Sequence, residues 1–106
     1  MARKDVEVIQ GDTFNMGFRV SGIEGPIDFT APDTIIYAQI TDASGRKVVE
    51  KFEIEPTAPE VGEFRIHLDA DTTAGLRGKH LWSVRYERGP RVVTLAGGEF
   101  VVKVSP

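Results

Sequence analysis

At 106 residues, with 41% hydrophobic and 27% charged side chains, the chain has the length and composition of one folded domain spanning 1–106, and neither disorder nor a membrane span is indicated. It has no cysteine, which excludes a disulfide framework, thiolate zinc sites and a cysteine nucleophile. The net charge of −3 gives no overall attraction to phosphate and argues against nucleic acid as a partner.

The opening MARKDVEVIQ carries Arg3 and Lys4 but no apolar stretch behind them, so it does not read as a secretory signal. Synthesis and folding in the cytoplasm are expected. Val6 to Gln10 is a first strand candidate. Phe14, Met16, Phe18 and Val20 then alternate with Thr13, Asn15, Gly17 and Arg19, the period of a strand with one buried face. The segment from Ser21 to Asp33 has two prolines and is long for a hairpin, so it is expected to cross between sheets or lie over an edge.

Ile36, Ala38 and Ile40 alternate with Tyr37, Gln39 and Thr41, and the Asp42 to Lys47 link has the glycine-containing chemistry of a hairpin. Lys47 to Glu55 reads as the next strand, and Glu55 to Gly62 as an exposed link. Phe64, Ile66 and Leu68 form another inward row. DADTTAGL follows, where Asp69 or Asp71 can cap a single helical turn ending before Gly75 or Gly78. Trp82, Val84 and Tyr86 give the next inward row, with Trp82 as a core anchor. ERGPR, from Glu87 to Arg91, fits a hairpin. The last strand runs from Arg91 to Val104, with a bend or bulge expected at Gly97 and Gly98.

About seven short strands at roughly ten-residue intervals, with one helical turn, predict an all-β, antiparallel, immunoglobulin-like β-sandwich. The convergent residues of an active site are not evident. His67 and His80 lack a third ligand at zinc spacing; His67 is expected on the solvent face, and His80 at the inner margin, satisfied by a backbone group. Asp69 and Asp71 lack the remaining ligands of a calcium loop. No serine sits in a nucleophile elbow, and no phosphate loop precedes a helix. The reading is a protein that is not an enzyme, with no cofactor and no metal site. Tyr37 is the one aromatic expected to face outward from mid-strand.

The element order is VEVIQGDTFNMGFRV, PIDFT, IIYAQITDASGRKV, GEFRIHLDADTTAGLRGKHLWSVRYE and RVVTLAGGEFVVK. This order resembles small β-sandwich virion modules of tailed bacteriophages and prophages, similar to the N-terminal domain of the baseplate upper protein family. The shared features are a GDT-type turn, a PIDLT-like segment, an AQI strand ending in a D.SG hairpin, a G.F.L strand, an acidic helical turn and a GEF-like final strand. His80 stands where that pattern often has an aromatic, and Phe29 where it often has leucine; both fit an inner margin.

The resemblance implies a virion structural or adaptor protein of tail, baseplate or head decoration. Its partners would be other virion proteins, in multiple copies of a symmetric particle and without a membrane. The alternative is a non-catalytic ligand- or carbohydrate-binding module using Tyr37. The first or last strand, lightly guarded by charge, and the loop from Ser21 to Asp33 are the expected assembly contacts, with Val93, Val101, Ile23 and Pro26 as candidates.

Overall fold

The structure is a computed structural model and describes residues 2–22 and 25–104. The chain forms β1 (Ala2–Arg3), β2 (Val6–Ile9), β3 (Phe14–Arg19), β4 (Ser21–Gly22), β5 (Gly25–Pro26), β6 (Thr34–Thr41), β7 (Val48–Lys51) and β8 (Glu53–Ala58). A 3-10 turn at Pro59–Val61, β9 (Glu63–Leu68), α1 (Ala70–Ala74), β10 (Gly78–Arg88) and β11 (Arg91–Lys103) complete it. The larger sheet has the order β1-β11-β10-β6-β7, with β2 also paired to β11, and the smaller has the order β3-β9-β8. The protein is therefore all-β, with two sheets packed face to face. β4 and β5 form a separate two-stranded ribbon.

The period-two rows do the packing. Phe64, Ile66, Leu68, Trp82, Val84 and Tyr86 are all buried. All six phenylalanines join Trp82 and Tyr86 in one run of ring contacts between the sheets, from Phe100 through Phe14, Phe52, Trp82, Phe18, Phe64 and Phe29 to Tyr86, with centroids 5.2–6.4 Å apart. These are the separations of edge and offset aromatic packing. Phe29 shows what the long loop does: it crosses from β3 to β6 and closes one end of the core against Phe64 and Tyr86.

Asp69 caps α1, accepting the Thr72 amide at 2.7 Å, and the turn carries the chain from the smaller sheet to the larger. Thr73 is fully buried behind it, its hydroxyl donating to the Asp12 carbonyl at 2.6 Å. The Asp42 to Lys47 link closes the β6–β7 hairpin, with Gly45 at φ 76°. A two-residue turn at Gly89–Pro90 closes β10 onto β11.

Three expectations are corrected. Lys47 to Glu55 is not one strand: β7 pairs with β6 in the larger sheet, and β8 pairs with β9 in the smaller. The switch takes one residue, Phe52, whose amide still donates to the Ala38 carbonyl at 3.0 Å while its ring enters the core. Glu55 to Gly62 is not simply a link, since β8 continues through Pro56 to Ala58. Proline is tolerated there because β8 is an edge strand.

The third correction concerns β11, whose irregularity is not at Gly97 and Gly98. The register with β10 shifts between Val84 and Arg85, where Ala96 and Thr94 are successive partners and Leu95 is the extra residue. The two glycines make room instead. A Cβ on Gly98 would run into the Lys4 carbonyl, and one on Gly97 would lie 2.8 Å from the Trp82 carbonyl. That Lys4 carbonyl accepts the Trp82 indole N–H at 2.8 Å. The close approach seats the first strands, β1 and β2, parallel to the last.

Far-UV circular dichroism should therefore report β-sheet with a small helical share, because α1 has five residues and the 3-10 turn three. A helix content above about a fifth would contradict this architecture, the usual soluble-protein share being roughly a third.

Candidate functional site

Residues that carry chemistry in other proteins are here tied into the frame. His80 lies at the edge of the core with Nδ1 3.2 Å from the Thr41 carbonyl and Nε2 3.1 Å from the Arg77 carbonyl. Backbone groups engage it, as the strand phase predicts. His67 is on the outer face of the smaller sheet, but half-buried rather than open, with Nε2 3.4 Å from Glu53 across the β8–β9 pair. Among the described residues no three histidine, aspartate or glutamate side chains converge as metal ligands.

Three aspartates serve turns. The Asp28 carboxylate accepts the Thr30 hydroxyl at 2.5 Å and the Thr30 amide at 2.8 Å. Asp42 accepts the Ser44 hydroxyl at 2.7 Å and the Arg46 amide at 3.1 Å. Hydrogen bonds to the ionised form hold all three below the ordinary value of 3.8, the side chains of Thr30, Ser44 and Thr72 being the largest cause at Asp28, Asp42 and Asp69. Such a depressed group stabilises the fold fully above 3.8, and the contribution disappears as pH falls through the lowered folded value. Melting temperature measured from pH 7 down to pH 2 should fall below about pH 4. Replacing all three by asparagine should flatten that acid limb, while Asp69→Asn alone, which retains the cap, should cost less at neutral pH than Asp69→Ala.

The residues expected at assembly contacts are scattered. Ile23 lies outside the described residues. Pro26 pairs with Ser21 in the small ribbon. Val93 is half-buried on the core side of β11, opposite Tyr86, and Val101 is half-buried on the outer side, between Lys79 and Glu7. The last strand is not an edge over most of its length, because β1 and β2 cover it from Ala96 to Lys103. β2, the first strand of the sequence reading, is an edge.

Tyr37 is on the surface, as its phase predicts, at 36% exposure. Arg85 from the neighbouring strand lies over its ring, the guanidinium carbon 4.9 Å from the centroid, in cation–π geometry. Two larger apolar exposures beside it are absent from the sequence reading: Ile35 at 51% and Val92 at 56%. Register places Ile35, Glu87 and Val92 side by side across β6, β10 and β11, and Tyr37, Arg85 and Thr94 in the next row. All project from the outer face, since Val84 and Tyr86 between them point into the core. A signal was present in the doublets Ile35–Ile36 and Val92–Val93, because consecutive residues of a strand face opposite ways.

This outer face is the candidate functional surface of an all-β, two-sheet protein. No protein-family model matches the sequence, and no curated protein matches it.

Proposed function

We propose that the protein is a non-catalytic structural or adaptor module of a tailed-bacteriophage virion, placed in tail, baseplate or head decoration and acting through protein–protein contacts. The observation that carries this reading is the match of motif order to element order. The GDT turn enters β3, the PIDFT segment closes the core end, AQITDASG is the end of β6 with its hairpin, GEFRIHL is β9, and GEF lies within β11. We also infer that the sandwich is immunoglobulin-like. The sheets β2-β11-β10-β6-β7 and β3-β9-β8 correspond to A′GFCC′ and BED in the lettering of that architecture.

The surface favours contact over chemistry: histidines and turn aspartates are engaged by the frame, and large apolar side chains stand out on the wider sheet. Exposed apolar groups gathered on one face mark interaction surfaces. The test is peptide mass spectrometry and immunogold labelling of particles purified from an induced lysate of the source bacterium. The chain should be present at a fixed ratio to the major virion proteins and label one location. Its absence from purified particles overturns the reading.

A ligand- or carbohydrate-binding role rests on one observation, the exposed Tyr37 ring with Arg85 across it. A glycan array whose signal is lost in Tyr37→Ala would support that role instead.

A further inference from the structure

We propose that the outer face of the larger sheet is a two-fold contact between copies of this chain; the inference rests on the assembly reading and names the partner of that surface as a second copy. Ile35 and Val92, two of the most exposed large apolar side chains, and the partly exposed Tyr37 lie within two adjacent cross-strand rows. Between them Arg85 and Glu87 stand two residues apart on β10, about 7 Å along the strand. Among the described residues neither takes part in an ion pair, and the Arg85 Nε is buried without a hydrogen-bond partner.

The charge pattern is complementary to itself. Take a two-fold axis lying in the interface, across the strands and between the two rows. It sets Glu87 of one copy on Arg85 of the other, twice. The same operation lays Ile35 on Tyr37 and Val92 on Thr94. The next rows outward are Gln39, Ser83 and Gly97 flanked by Lys51 and Arg3 on one side, and the Gly89–Pro90 turn beside Asp33 on the other. The operation turns these rows toward each other, so the charges they bring are opposite in sign and do not oppose the pairing. Stacked sheets lie about 10 Å apart, a gap that arginine and glutamate side chains span. Closed two-fold contacts of this kind use one patch on both partners.

Sedimentation equilibrium over a concentration series tests the arrangement, with circular dichroism and melting temperature as controls for folding. Wild type should dimerise. Glu87→Arg and Arg85→Glu each place like charges together and should weaken the dimer on the order of 100-fold. The double swap R85E/E87R regenerates the complementary pattern and should restore affinity to within about tenfold of wild type. Ile35→Lys and Val92→Lys, at exposed positions, should break the dimer without unfolding the chain. A wild type that stays monomeric up to its solubility limit overturns the inference, as does a dimer indifferent to both single reversals. A monomeric chain still found in particles removes the two-fold contact alone. A dimer on this face in a chain absent from particles removes the virion reading alone.

Discussion

Trp82→Ala should lower the unfolding free energy by about 3–5 kcal/mol, a large part of the ~5–15 kcal/mol that holds a domain of this size. The side chain is 3% exposed and meets Phe18 and Phe52, from the smaller sheet and from the residue that joins the sheets. Its removal opens a cavity where the layers meet. Trp82→Phe divides the effect. It retains a ring but leaves the Lys4 carbonyl without its indole donor, a loss of about 1–3 kcal/mol if the carbonyl finds no other partner. Urea denaturation checks both. A Trp82→Ala protein with an unchanged midpoint would show that the indole does not hold the sheets together.

Gly62→Ala should be of similar size. Gly62 has φ 81°, a left-handed conformation that costs a residue with a Cβ about 1–2 kcal/mol. The added carbon would also collide with the Val20 carbonyl and lie 2.9 Å from that of Ile27. These groups are bonded to each other: Val20 N–H donates to Gly62, and Ile27 N–H donates to Val20, both at 3.0 Å. Moving one breaks the junction where β3, the long loop and the 3-10 turn meet. With overpacking at about 1–3 kcal/mol, the total is about 2–5 kcal/mol. Gly78→Ala is the control, because Gly78 has φ 80° but open space around its Cβ position. It should show the backbone cost alone. Equal losses at the two sites would mean that the Val20 and Ile27 carbonyls yield freely.

The inward faces were legible in the sequence because alternation is a local signal. Phe64, Ile66 and Leu68, like Trp82, Val84 and Tyr86, fall inside without knowledge of any distant contact. A cap at Asp69 or Asp71 was legible for the same reason, and the structure selects Asp69. The change of sheet at Phe52 was not, since Phe52 and Ile54 keep the same alternation on both sides of the switch while the hydrogen-bonding partner changes from β6 to β9. The role of Gly98 was hidden too. It depends on Lys4, far away in the chain, whereas a glycine in a strand ordinarily suggests a local bend. Of the candidate surface, Tyr37 was read as outward. Ile35 and Val92 were missed because each has an apolar neighbour that takes the inward phase of its strand, and Arg85 with Glu87 acquires meaning only once the strands are in register.

The parallel pairing of β2 with the last strand has a mechanical consequence. Val6 to Ile9 lie beside Phe100 to Lys103 in the same direction, so tension applied between residues 2 and 104 pulls the two strands lengthwise past one another. Their ladder bonds then bear the load together instead of opening one at a time, as they would in a hairpin pulled from its open end. Stretched in an atomic force microscope between these positions, the domain should yield at a higher force than when pulled between Asp42 and Lys47, which bracket the β6–β7 turn and leave that parallel clamp unloaded.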